Sequence, residues 1–307
     1  MRRRTAVNSC FLDCSKAFDM CRFDTLFQKL IDKGLPHVVI RVLSFVYQHQ
    51  LGFVQLGGQK SNEFKLKNGT RQGSVLSPSL FTVYIDDMLK ELRQAQLGCH
   101  IAGIWYGACA YADDLALLAP NREVLQKMIT ICEKYGETHN LSFSLDDDVR
   151  KSKSKCILFC GRAQNVKYPM PLKLYGKNLP WVLNADHLGH TLSQTVSMDR
   201  DCDRARATFI SKSVDIRDQF KFAPPEQIIK IVELLCCDGY GSMIWDFQSN
   251  ASEQFFKSWN TMVKLVHNVP RSTFTYLVED CFIDFKHDRY IQLQTIKIRV
   301  LIKPIRV

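Results

Sequence analysis

The sequence lacks any apolar run near the ~20 residues that a membrane-crossing helix requires, so no transmembrane segment is expected. It has no C-x-x-C pair and no Cys/His set at zinc-ligand spacing, which excludes the common zinc modules. The 12 cysteines are only about 4% of the chain, too sparse for a disulfide-stapled scaffold. Their closest pairs, Cys10/Cys14, Cys156/Cys160 and Cys236/Cys237, read as reduced thiols of an intracellular protein. Internal repeats and low-complexity tracts are absent. Met1-Arg-Arg-Arg-Thr5 resembles the start of a signal peptide, but polar Asn8 and Ser9 and acidic Asp13 follow where an apolar segment is needed. The expectation is an intracellular chain, cytoplasmic and/or nuclear, without a membrane partner. Acid is also in short supply: 31 Asp and Glu stand against 41 Lys and Arg, a net charge of +10. That excess favours polyanionic partners such as nucleic acid.

What is present is a chain long enough for a sizeable core, 46% hydrophobic and 23% charged. Ser9 to Asp13 is a short apolar run ending in an acid and reads as a buried strand. Arg22 to Lys33 has helical periodicity and stops at Gly34; Pro36 opens a second helix. Leu51 to Leu56 and Glu63 to Leu66 flank Gly57-Gly58 as a hairpin. Ser77-Pro78 predicts a helix to about Arg93, with the serine as N-cap. Ile101 to Tyr106 and Cys109 to Leu118 read as strands, and Asn121 as the cap of a following helix. Leu141 to Leu145, Cys156 to Phe159, Leu172 to Tyr175 and Trp181 to Leu183 complete a strand-rich middle. From Met198 onward the pattern is helical, over 200–221, 225–238 and 252–267. The change near residue 195 is the predicted domain boundary, giving an α+β first part and a helical second part.

The stretch Ala110-Tyr-Ala-Asp-Asp-Leu-Ala-Leu-Leu-Ala119 sets two carboxylates side by side in an apolar run. Two unit charges about 4 Å apart repel by roughly 4 kcal/mol at an effective dielectric near 20. Buried acids are rare unless paired or metal-bound. A third acid, Asp13, ends an earlier strand. If the two strands are neighbours, three carboxylates converge as phosphoryl transfer with two metal ions requires. Taken singly, each motif reads first as exposed turn acids.

Three ordered segments carry a more specific signal: Phe11-Leu-Asp-Cys-Ser-Lys-Ala-Phe-Asp19, Asn68-Gly-Thr-Arg-Gln-Gly-Ser-Val-Leu-Ser-Pro-Ser-Leu-Phe81, and Tyr111-Ala-Asp-Asp114. In this order and spacing they resemble the palm motifs of reverse transcriptases of the non-LTR (LINE-type) retrotransposon branch. Downstream, Asn140-Leu-Ser-Phe through Lys153-Ser-Lys-Cys-Ile-Leu-Phe159 resembles the family's lysine-bearing motif, and His187-Leu-Gly-His-Thr-Leu192 its primer-grip hairpin. Trp259 to Val269, Pro270-Arg271 and Tyr276 to Glu279 resemble thumb-side helices.

The resemblance implies an α+β right-hand polymerase: an antiparallel palm sheet with packed helices over 1–195, with partial fingers and the primer-grip hairpin, then a helical thumb-like or connection region over 196–307. It implies RNA-directed DNA polymerase activity, a nucleotidyl transfer adding dNTPs to a primer 3′-OH. The implied cofactor is two Mg2+ ions, Mn2+ being possible, held by Asp13, Asp113 and Asp114. The implied partners are an RNA template, a DNA primer or RNA–DNA hybrid, and dNTPs. Lys153 aligns with a lysine proposed to protonate the leaving pyrophosphate, although Lys151 and Lys155 sit two residues either side and a plain surface lysine is the alternative. Phe18 is implied as a steric gate at the sugar 2′ position, with core packing as its rival. Tyr111, Arg71, Gln72 and Gly73 fall at the nucleotide, where glycine lets backbone approach the ligand. Leu188 and Gly189 fall at the primer grip. Basic residues at Arg150, Lys151, Lys153, Lys155, Arg204, Arg206, Lys212 and Arg217 are candidates for backbone contacts. The family has a fingers segment ahead of the first acid, which the sequence does not display, so the chain is expected to be truncated at its N-terminus. A catalytically inactive nucleic-acid-binding remnant is the alternative function. Template, target site and oligomeric state are not legible.

Overall fold

The computed structural model describes residues 6–71, 73–146, 148, 151–160, 168–236 and 242–274. It separates into two compact units: Met1–Gly189 with Ser193–Val196, and His190–Leu192 with Ser197–Val307. Both helix and sheet contribute. Among the described residues no helix is long and apolar enough to cross a membrane.

The first unit begins with β1 (Val7–Asp13), buried along all but its end residues. Three helices follow: α1 (Ala17–Met20), α2 (Phe23–Asp32) and α3 (His37–Gln48). Next comes a double hairpin in which β2 (Leu51–Gly52) pairs with β5 (Phe64–Lys65) and β3 (Gln55–Leu56) with β4 (Gln59–Lys60), turning at Gly57-Gly58. Helix α4 (Ser77–Gln94) buries a stripe of Leu80, Phe81, Tyr84, Ile85, Met88 and Leu92, at the three-and-four spacing that lines one helical face. Its start differs from expectation. Leu76 precedes the helix, and the Ser77 hydroxyl donates to the Arg71 carbonyl at 2.5 Å instead of capping.

Two predicted strands prove to be hairpins. Ile101 to Tyr106 folds as β6 (His100–Ile101) against β7 (Ile104–Trp105), and Cys109 to Leu118 as β8 (Ala108–Tyr111) against β9 (Asp114–Ala119). Asn121 then caps α5 (Arg122–His139), its side chain accepting from the Val124 amide at 2.9 Å. Leu141 to Leu145 is not a strand; it touches β1's continuation through a single bridge, Cys14 to Phe143, because the chain there breaks away on both sides. Strands β10 (Lys155–Phe159), β11 (Leu172–Leu174) and β12 (Lys177–Leu179) follow. Trp181 makes one parallel bridge to Cys156 in place of a predicted strand. Strands β13 (Asn184–His187) and β14 (His190–Ser193) flank the turn Leu188-Gly189.

The sheet that positions the acids has the order β10-β1-β9-β8, antiparallel throughout, with β1 central. Cys10 stands opposite both Leu117 and Cys156, and Leu12 opposite Leu115. These side chains join one core with Leu125, Met128, Ile129 and Cys132 of α5 and the α4 stripe. Phe11, of opposite parity, meets Phe159 and His187 instead. Each large core side chain contributes about 1.5–3 kcal/mol by burial.

The second unit packs α6 (Asp199–Gln219), α7 (Pro225–Cys236) and α8 (Asn250–Val266) around Phe209, Ile216, Ile228, Val232, Met262 and Val263. At its start the carboxylate of Asp201, 2% exposed, accepts from the Thr191 amide, the Arg204 guanidinium, the Trp245 indole and His190, at 2.8 to 3.1 Å.

Candidate active site

Antiparallel pairing of β1 with β9 sets Asp13 directly opposite Asp114. The ladder runs one residue further, the Cys14 amide donating to the Asp113 carbonyl at 3.3 Å. Asp113 occupies the two-residue turn Ala112-Asp113 that joins β8 to β9, where Tyr111 opposes Asp114. Ala112 holds a φ of 51°, the left-handed region that an alanine adopts only at some cost. Turn and strand end thus bring the three acids to one end of the sheet. The acids are half-buried at strand ends and in the turn, not within a continuous strand, and this answers how an apolar run carries adjacent charges.

Partial burial raises the Asp13 pKa above the ordinary carboxylate value, Lys153 opposes that shift, and Asp113 and Asp114 add to it. The Lys153 ammonium lies 3.7 Å from the Asp13 carboxylate; the lysine side chain is 69% exposed and the aspartate 24%. Lys153 is therefore the lysine that faces the acids, while Lys151 is exposed and Lys155 lies in β10 opposite Phe11. Among the described residues, no three His, Cys, Asp or Glu side chains stand close enough together to hold a metal ion. The backbone gathers the three acids without closing their carboxylates around a cation. As a donor set they fit Mg2+ nonetheless: all are hard oxygen ligands, and the mutual repulsion felt by Asp13 is what a cation relieves.

Phe18 is half-buried with its ring 5.3 Å from that of Phe81, so it packs on the core while one part stays exposed. The loop 68–71 is tied to the same segment: the Gly69 amide donates to the Cys21 carbonyl and the Thr70 amide to the Phe18 carbonyl, at 2.8 and 2.7 Å. Arg71 is exposed. Gly73 adopts a φ of +79° with no heavy atom within 4 Å of where a Cβ would sit, so the position is both conformationally demanding and open. Gln72 lies outside the described residues, as do Arg150 and 276–279. Tyr111 is 70% exposed beside the turn. Leu188 and Gly189 both have positive φ, 48° and 76°, as the favoured two-residue hairpin turn requires. Sequence reasoning missed the strained Ala112, which carries no glycine or asparagine signal, and it also missed Ser154, whose hydroxyl accepts from the Asp13 amide at 3.2 Å.

A family model described as reverse transcriptase (RNA-dependent DNA polymerase) matches residues 2–192. The chain belongs to the reverse transcriptase family. It is 32% identical over 124 residues to the Pol polyprotein of the type-2 retrotransposable element R2DM of Drosophila melanogaster, covering 39% of this chain and 12% of that protein. It is 24% identical over 220 residues to the RNA-directed DNA polymerase from mobile element jockey of the same organism, covering 69% of this chain and 22% of that protein. These relatives are non-LTR retrotransposon proteins, and the domain is of their type. The match spans about an eighth to a fifth of these relatives' length. The solved telomerase from Candida tropicalis, in complex with a TWJ fragment of telomeric RNA, superposes with a TM-score of 0.48 at 13% identity, over 97% of this chain and 43% of that one.

Proposed function

We propose that this chain is an RNA-directed DNA polymerase that extends a primer 3′-hydroxyl with dNTPs on an RNA template. The observation that carries it is the Asp13–Asp114 register pair, capped by the Asp113 turn, in a chain of the reverse transcriptase family. In this reading residues 1–195 are the palm with part of the fingers and 196–307 a thumb-like helical region.

Asp13, Asp113 and Asp114 are the residues to hold two divalent ions, Mg2+ or Mn2+. When bound, such ions neutralise the phosphate charge and make the attacking hydroxyl more acidic. The chain's own groups do the remaining work. Lys153, within reach of Asp13, supplies a proton to the departing pyrophosphate. The loop carrying Arg71, Gln72 and Gly73 presents main chain to the nucleotide, with Tyr111 beside it. Phe18, braced on Phe81, presents its ring to the sugar 2′ position and rejects a hydroxyl there by contact. Leu188 and Gly189 hold the primer end. Positioning of reactants is the largest part of such a reaction.

The test is dNTP incorporation on poly(rA)/oligo(dT) with Mg2+ or Mn2+, beside an Asp113→Ala/Asp114→Ala double variant. Extension by the wild type that vanishes in the variant is expected. A folded chain that binds the hybrid without extending it supports instead the second reading, a nucleic-acid-binding domain without catalysis.

A further inference from the structure

Pairing between β1 and β10 ends at Phe11 and Lys155, although the same register carried two residues on sets Asp13 opposite residue 153. At this point β1 changes neighbour. The Ser15 amide donates to the Ser142 carbonyl at 2.8 Å, the Ser144 amide donates to the Asp13 carbonyl at 2.8 Å, and the Ser154 amide donates to the Ser144 carbonyl at 3.2 Å. The Asp13 amide is left without a backbone carbonyl, and the Ser154 hydroxyl accepts from it at 3.2 Å. Ser154 is fully buried, and the neighbouring Ser152 hydroxyl donates to its carbonyl at 2.8 Å. A side-chain oxygen thus replaces the missing rung of the sheet at the very residue that carries the first acid. The next residue back along the chain is Lys153, whose ammonium reaches the Asp13 carboxylate.

We infer that Ser154 is a positioning residue for the polymerase reaction: its hydroxyl fixes the Asp13 main chain and, through the adjacent peptide, the separation of Asp13 from Lys153. The inference rests on the proposed polymerase function. A buried N–H left without an acceptor is unfavourable, so loss of the hydroxyl lets the end of β1 shift to find one. A displacement of about 1 Å at a reacting group can lower a rate by about a hundredfold.

The test compares Ser154→Ala, Ser154→Thr and Ser9→Ala in single-nucleotide extension. Ser9 is the matched control: it is as buried as Ser154, lies in β1 with Asp13, and its hydroxyl donates to the Ile157 carbonyl at 2.7 Å, away from the acids. Ser154→Ala is expected to lower kcat about tenfold to a hundredfold, with KM for dNTP and affinity for the hybrid within about twofold. Ser154→Thr, which keeps the hydroxyl, restores the rate, and Ser9→Ala retains it. Amide hydrogen exchange at Asp13 is expected to accelerate in Ser154→Ala only. Equal losses in Ser154→Ala and Ser9→Ala, or unchanged exchange at Asp13, overturn the inference. A wild type that does not extend primers overturns the polymerase reading instead, and the exchange measurement still decides whether Ser154 holds Asp13.

Discussion

The Asp13 carboxyl binds its proton more tightly in the folded chain than in the unfolded one, because it is partly buried and faces two further aspartates. Such a group favours folding at low pH, and that contribution is lost as pH rises from the unfolded value, about 3.9, through the raised folded value. At neutral pH the ionised carboxylate is a net burden, which its exposed partner Lys153 offsets only in part. Asp13→Asn is therefore expected to be more stable than wild type at pH 7 by about 0.5–2 kcal/mol, the usual gain when a functional residue is relieved. The difference should vanish near pH 3, and primer extension should be lost throughout. Urea melts at the two pH values check the first part; a less stable variant at pH 7 contradicts the electrostatic account. Residues of this kind were legible because an acid at the end of an apolar strand breaks an otherwise simple pattern. Ser154 was not, because a serine beside a lysine in a basic stretch looks like any solvated loop until the pairing of β1 with β10 is seen to end before Asp13.

At the scale of elements, the helices and β1 follow their periodicity closely, whereas the turns do not. Cys109 to Leu118 reads as one strand because Ala112 offers no turn chemistry; the reversal there is imposed by the pairing of β8 and β9. The strain this leaves is testable. A β-branched side chain tolerates a φ of 51° worse than alanine does, so Ala112→Val should cost about 1–3 kcal/mol. Ala112→Gly should stay within about 1 kcal/mol of wild type, relief of strain being offset by glycine's freedom in the unfolded chain. Chemical denaturation of both separates this from a packing effect, which would penalise glycine as well. The Asp201 network was equally invisible, since three of its four partners lie 10, 11 and 44 residues away in sequence. Burial alone would raise the Asp201 pKa, but donors from Thr191, Trp245, His190 and Arg204 outweigh it and hold the carboxyl below its ordinary value. Its stabilisation is present above about pH 4, the unfolded value, and is lost as pH falls through the folded one. Asp201→Ala should cost about 3–5 kcal/mol at pH 7, as removal of one partner from a buried charged network does. It should also flatten the acid limb of the stability curve; an acid limb identical to wild type would show that other carboxylates dominate it.

For the whole molecule, the net charge of +10 says that a polyanion is attracted but not where it lies. The structure sorts the basic residues by what they already hold. Arg204, Arg206 and Arg217 on α6 each face an aspartate, at 2.8, 3.6 and 2.5 Å, so their charge is largely answered before any nucleic acid arrives. Arg71, by contrast, is exposed on the loop tied to Phe18. Counterion release scales with the number of phosphates neutralised, and an arginine that must first leave a carboxylate contributes less to it. Binding of a labelled RNA–DNA hybrid, followed by anisotropy over a salt series, should therefore weaken linearly in log–log form. Arg71→Ala should reduce the slope by about one unit, and Arg217→Ala should leave it within about half a unit. A reversal of that order would move the proposed binding path away from the acid-bearing end of the sheet and onto α6, and with it the assignment of which face of the chain meets the primer.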